Sequence, residues 1–285
     1  MTIGNLSHAS ENEQIGIRKE IINSAPAEAL AGFFNLGLPH LNDGDFLPPL
    51  WHWIYLLEKP AQRIIGPDGH PTIAIPSPPA QGQSRMFAGG RVNTHSLLTF
   101  GKPATRTTRV IRSEVKEGKS GPLTFVTVSS KIEQEGKLRV EEESDIVYRE
   151  MGATPKSAIG IQNRNEEPEP KIDGSLEFAI DPVVLFRFSA LTYNSHRIHY
   201  DLPYALEEGY PDLVIHGPLQ AMLMGECARR SGITFLSKQF AYRLVKPAFG
   251  AQRLLANSFI EDSERKIQVK DETGQVTATS SVKDF

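Results

Sequence analysis

The side chains best equipped for chemistry lie together in the run Ser189-Ala-Leu-Thr-Tyr-Asn-Ser-His-Arg-Ile-His-Tyr-Asp201. It holds Asn194, His196, Arg197, His199 and Asp201, and His216-Gly217-Pro218 follows at the head of an apolar segment. An imidazole with an ordinary pKa near ~6.5 accepts and returns a proton close to neutrality, which makes His199 a candidate general acid/base. Pro218 suits the first turn of a helix, and the unpaired N–H groups of such an end attract negative charge. A base beside a helix mouth can move a proton while an oxyanion forms.

Other chemistries find less support. His196 and His199, with His216 and Asp201, could ligate a metal ion, but the pair reads as lying at a strand end and no metal site is expected. The single cysteine, Cys227, excludes an internal disulfide and reads as a small core residue. Ser189 and Ser195 lack the G-x-S-x-G elbow of serine hydrolases. No glycine-rich nucleotide motif is present, so no cofactor is expected.

The chain has 285 residues and is 39% hydrophobic, with 31 basic and 34 acidic side chains. A net charge of −3 gives no reason to expect a nucleic-acid partner. No apolar run nears the ~20 residues that span a bilayer, and Met1 to Ser10 lacks a secretory pattern. The expectation is a cytoplasmic protein acting on a small molecule.

Several elements must position the histidines. Asn23-Ser24 starts a short helix through Leu30. Leu50, Trp51, Trp53, Ile54 and Leu57 recur at helical spacing until Lys59-Pro60. Residues 66–84 form a proline-rich loop. From Arg85 the period changes to two, and Leu123–Ile132, a turn at Glu135-Gly136 and Leu138–Tyr148 make a hairpin. Residues 151–174 read as a linker between a first unit, 1–150, and a second, 175–285.

The second unit repeats the order of the first. Leu176 to Thr192 reads as mostly extended. A helix opens at Gly217, and strands follow over 240–244, 254–260, 266–270 and 276–282. Phe249-Gly250 echoes Phe100-Gly101, and Pro218-Leu219 echoes Pro49-Leu50. Leu219, Met222, Leu223, Met224 and Cys227 make the second helix apolar over most of its surface, so it needs cover all round. A helix wrapped by a curved antiparallel sheet is the α+β hot-dog arrangement, and two copies in one chain make a double hot dog.

Ser189 to Ala205, with Val214-Ile-His-Gly217, resembles the active-site segment of MaoC-like hydratases and dehydratases. Thr192–Asp201, Gly209–Leu219, Arg85–Arg91, Ser120–Val126 and Asp145–Arg149 resemble one branch: the type-two hydroxyacyl-thioester dehydratases with the mesaconyl-CoA and itaconyl-CoA hydratases. The resemblance implies addition of water to a 2-enoyl thioester, or its reverse. It implies His199 as acid/base and the Gly217 N–H as donor to the thioester oxygen. The usual pattern has Asp where this chain has Asn194, and an amide can orient a water but cannot take its proton. His199 then works alone or with help from His196 or Asp201, although Asp201 reads first as the cap of a short helix opened by Leu202-Pro203. His216 reads mainly as a hydrogen bonder of backbone at the helix mouth.

Arg197 is a candidate for a CoA phosphate, a substrate carboxylate or a plain ion pair with equal weight. Arg85 and Arg91, on either side of Gly89-Gly90, are candidates for the carboxylate of a dicarboxylic acyl group. The first half carries no such segment, so one site per chain is expected. The substrate expected first is itaconyl-CoA or mesaconyl-CoA, giving citramalyl-CoA or a related product. The rivals are a fatty 3-hydroxyacyl-thioester dehydratase, a hot-dog thioesterase and a non-catalytic acyl-CoA-binding subunit. Pairing of chains into a homo-oligomer is compatible with each.

Overall fold

The computed structural model describes residues 15–37, 41–77, 83–118, 121–150, 174–261 and 264–285. The expected linker lies outside the described residues except for Gly174. The first half holds β1 (Ile15–Ile21), α1 (Ser24–Phe33), β2 (Gln83–Thr94), β3 (Pro103–Gly118), β4 (Gly121–Gln134) and β5 (Lys137–Glu150). The second holds β6 (Leu176–Ile180), α2 (Pro182–Leu191), α3 (Leu202–Glu207), α4 (Gly217–Arg230), β7 (Lys238–Leu244), β8 (Gln252–Glu261), β9 (Glu264–Lys270) and β10 (Val276–Asp284).

All ten strands join one sheet in the order β1-β3-β4-β5-β2-β7-β10-β9-β8-β6. Every pairing is antiparallel. Read outward from the central β2–β7 pair, the two halves have the same strand sequence. The motif echoes fall at equivalent places. Gly101 lies against Asp43, and Gly250 against Asp212. Phe46 bridges Thr99, and Val214 bridges Phe249. The duplication read from weak echoes is therefore built into the topology, and the fold is a double hot dog.

The seam needs close backbone approach. Gly89 sits at φ 153, and a Cβ there would lie 2.4 Å from the Tyr242 carbonyl oxygen across the seam. Only glycine fits this conformation and contact.

Helix α4 forms where the sequence places it. Pro218 occupies its first turn, and Arg229 and Arg230 close it at the end where cations are favoured. Leu219 through Ala228 are all buried. One core runs through both halves and includes Leu30, Phe33, Phe178, Leu219, Met222 and Phe240.

Two expectations fail. The segment from Leu50 to Leu57 makes no long helix, only a 3-10 turn over Trp51–Ile54. Leu50 takes a left-handed conformation, φ 68, which prevents helix continuation from Pro49. Leu50 rests on Gly225 of α4, and Trp51 Nε1 donates to Glu226 Oε1 at 2.9 Å. The first half lends its apolar segment to the second half's helix instead of building its own. Likewise Leu176–Thr192 is extended only as far as Ile180 and then becomes α2. Asp181 caps α2 through Val184 N at 2.7 Å, and Pro182 starts it. The histidine-bearing loop thus follows a helix.

Candidate active site

A long cleft lies between the face of the first-half sheet, including Thr108, Val128, Ser144 and Ile146, and the loops around the N-terminus of α4. Asn194, His196, His199 and Gly217 line it, as does Arg85 on β2. These candidates from separated parts of the sequence come to one place.

His199 lies on a 3-10 turn, Arg197–His199. Its Nδ1–H donates to the Val214 carbonyl at 2.7 Å. That bond fixes the tautomer and leaves Nε2 as a free acceptor toward the cleft. Burial pushes its pKa down to about 4, against the Val214 hydrogen bond and with repulsion from His70. His199 is therefore a neutral acceptor at neutral pH.

His216 stacks on His199 with ring centroids 3.6 Å apart. Its Nε2 meets Ser189 Oγ at 2.9 Å, so its partner is a side chain and not the expected backbone. Burial, then repulsion from His199 and His196, holds it uncharged. It is fully buried and backs the His199 ring without facing the cleft. Its neighbour Gly217 begins α4, so its N–H points where no earlier helical carbonyl can accept it. An oxyanion placed there gains from that donor and from the helix dipole.

Asn194 Oδ1 accepts from His196 N at 3.1 Å. The side chain thus holds the loop, and its amide donors are what it offers the cleft. Burial foremost, then repulsion from His70, His199 and Arg85, keeps His196 uncharged.

Three sequence candidates are engaged elsewhere. Arg197 pairs with Asp201 through Nε at 2.9 Å and Nη2 at 2.7 Å, and donates to the Pro67 carbonyl. Asp201 also accepts from Tyr204 N, capping α3, and the Arg197 bonds hold its carboxyl below the usual range. Both are structural and neither lines the cleft. Arg91 pairs with Glu143 and Asp145 and also lies outside the cleft lining. The arginines around Gly89-Gly90 separate because a bulge between Phe87 and Gly89 shifts the strand register. Arg85 stays inside and makes no hydrogen bond or ion pair among the described residues.

Sequence reasoning missed Asp68 and His70. They sit on the Gly66-Pro-Asp-Gly-His-Pro71 turn, which packs onto the histidine loop. Ser195 Oγ donates to the Gly69 carbonyl at 2.5 Å, and Arg197 N to the Asp68 carbonyl at 2.9 Å. Gly69 has φ 91, and a Cβ there would lie 1.8 Å from the Ser195 carbonyl oxygen. His70 Nδ1–H donates to Asp68 Oδ2 at 3.0 Å, and its ring lies 4.0 Å from that of His196. Asp68, His70 and His196 each offer one donor atom within 4.8 Å of the others, a spacing that suits a metal ion. The hydrogen bond between Asp68 and His70 uses a carboxylate oxygen and Nδ1 on each other, so the group as built is a hydrogen-bonded dyad beside a third ring. The only hint in the sequence was an Asp and a His bracketing a turn glycine.

An acceptor that stays neutral, facing amides that favour a negative oxygen, suits the making and unmaking of an enolate. On a helix wrapped by a doubled sheet, that chemistry belongs to the MaoC-like hydratases and dehydratases, which are hydro-lyases. The chain belongs to the hydroxyacyl-thioester dehydratase type 2 family, whose model matches residues 50–250. It is 44% identical over 237 residues to mesaconyl-C(4)-CoA hydratase of Chloroflexus aurantiacus, covering 82% of each chain. Its fold resembles a MaoC-like dehydratase from Phytophthora capsici, with a TM-score of 0.66, 14% identity and 96% of each chain covered. It also resembles a double-hotdog protein of Mycobacterium tuberculosis, with a TM-score of 0.56, 14% identity and 96% of each chain covered. Among the described residues no helix is long and apolar enough to cross a membrane.

Proposed function

We propose that the chain hydrates a short dicarboxylic enoyl-CoA of the mesaconyl or itaconyl kind, giving citramalyl-CoA or a related hydroxyacyl-CoA. The observation that carries this reading is Arg85. Its guanidinium lies in the cleft beside His196, and burial lowers its pKa while Tyr148 and Asp68 favour its charge. Among the described residues no carboxylate pairs directly with this guanidinium, and a substrate carboxylate would supply that pair. In a mesaconyl thioester with the free carboxylate on the β-carbon, the carboxylate adjoins the carbon that receives water. The similarity to a mesaconyl-C(4)-CoA hydratase supports the same substrate class.

In this reading His199 Nε2 takes a proton from water as the oxygen attacks the β-carbon. The Gly217 N–H holds the enolate oxygen, and the proton delivered to the α-carbon restores the thioester. Asn194 donates a hydrogen bond that orients the water.

The test measures water gain by mass on crotonyl-CoA, a longer enoyl-CoA, mesaconyl-CoA and itaconyl-CoA. Arg85→Gln should cut kcat/KM for the dicarboxylic substrates about 10- to 100-fold, the worth of a charged hydrogen bond. It should leave any crotonyl-CoA turnover unchanged. Equal hydration of plain chains, unaffected by Arg85→Gln, would instead make this a fatty-acyl dehydratase. Release of free thiol would indicate a thioesterase, and tight binding without turnover a silent acyl-CoA binder.

A further inference from the structure

Hydration needs two proton transfers, and the residues assigned so far give the site one evident acceptor, His199 Nε2. His199 offers the cleft only Nε2, because its Nδ1–H is committed to Val214, so acting alone it would have to make both proton transfers from one atom. Asn194 cannot donate a proton to carbon, since an amide does not ionise usefully. Hydration nevertheless requires a proton to leave water and another to reach the α-carbon.

A second ionisable group does stand in the cleft, brought by the first half. His70 lines it, with 19% of its side chain exposed. Its Nδ1–H is held by Asp68, so Nε2 is the nitrogen left to face substrate. Burial opposes charge on Asp68, yet the hydrogen bonds from His70 hold its carboxyl below the usual range. The carboxylate is therefore anionic and stabilises an imidazolium whenever His70 carries the proton. His70, His196 and His199 form a row, with ring centroids 4.0 Å and 5.5 Å apart. The other groups around His70 are Arg85 on β2, Tyr148 on β5 facing Arg85, and the Arg197–Asp201 pair behind Asp68. An imidazole held by a carboxylate, in the same cleft as an imidazole held by a backbone carbonyl, is an arrangement that can supply an acid and a base.

We propose that His70 is the general acid of the reaction and Asp68 its positioning residue, together replacing the carboxyl group that Asn194 lacks. This rests on the hydratase reading above. In hydration, an O–H bond of water breaks and that proton goes to His199 Nε2. The water oxygen forms a bond to the β-carbon, and the π pair moves to give the enolate held at Gly217 N–H. The His70 Nε2–H bond then breaks, its proton joins the α-carbon, and the thioester carbonyl reforms. Passage of the proton from His199 to His70 along the row through cleft water resets the site, so one water is consumed and no proton is gained or lost. Dehydration runs the same steps backwards.

The test is steady-state hydration of mesaconyl-CoA by the full chain across pH. Wild type should show an acid limb from loss of the neutral base His199 and an alkaline limb from loss of the proton donor. His70→Gln should lower kcat about 10²- to 10⁴-fold, the usual worth of a general acid, with KM within about threefold and the alkaline limb gone. Asp68→Asn should move the alkaline limb to lower pH, because the imidazolium loses its counter-charge. Asn194→Asp should restore at least about tenfold of the rate lost in His70→Gln, since a carboxyl again stands in the cleft that His199 lines. A kcat for His70→Gln within threefold of wild type would overturn the proposal. So would a loss of rate in both variants with the alkaline limb unmoved, the result of a merely structural pair. If His70→Gln does not fold, the limb in Asp68→Asn decides by the same criterion. Absence of hydration by the wild type on every enoyl-CoA would instead defeat the underlying reading.

Discussion

His199 is a buried neutral imidazole, and this has a cost in acid. Its folded pKa is about 4 against 6.5 unperturbed. As pH falls the unfolded chain binds that proton first, so stability present above about 6.5 is lost progressively toward about 4. His196 and His216, also held low, add to the same slope. Melting temperature should therefore fall between pH 7 and 4, and His199→Gln should reduce the slope; an unchanged slope in that variant would contradict the assignment. His199→Ala should abolish hydration, by at least about 10²-fold, while calorimetry still detects thioester binding. Normal turnover by that variant would rule His199 out as the base.

At the scale of elements, the site depends on two loops in contact, and Gly69 is where they touch. Gly69→Ala forces a Cβ into the Ser195 carbonyl at a left-handed φ, so the turn carrying His70 must lift. Overpacking of this kind costs about 1–3 kcal/mol. The expected outcome is folded protein with greatly reduced kcat, checked by circular dichroism beside the hydration assay. Full activity in Gly69→Ala would show that the loop contact is dispensable.

The sequence made some of these elements plain. Helix α4 was legible because it is apolar all round and opens with Gly217-Pro218. The strands from Arg85 to Tyr148 were legible from their period of two and β7 to β10 from the repeated order, whereas β1, over Ile15–Ile21, was not, because its segment is polar and weakly patterned. Helix α2 was misread because Val183, Val184, Phe186 and Phe188 look like strand residues, although Asp181-Pro182 carried a start signal. The turn at Trp51 was misread because helical spacing cannot reveal the left-handed Leu50. His199 and Gly217 were legible as a motif. His70 was not, because its contact with His196 spans distant sequence and its own turn has no period.

At the scale of the whole molecule, the two halves are one folding unit. They share a sheet across β2–β7 and a core around α4, and Trp51 of one half bonds Glu226 of the other. Residues 175–285 made alone would expose the β7 edge and the surface that Leu50 and Trp51 cover. The full chain should unfold in a single transition by calorimetry, and the isolated second half should show no cooperative transition. Two separated transitions would indicate independent domains.

The mirrored strand order has a further consequence. Two identical subunits arranged this way would have to accept every amino-acid change twice, once in each half of the sheet. A single chain with unequal halves escapes that constraint. The cleft wall formed by Thr108, Val128, Ser144 and Ile146 belongs to the first half, so it can change while His199 and Gly217 of the second half stay as they are. Laboratory evolution toward new substrates should therefore begin on strands β3, β4 and β5.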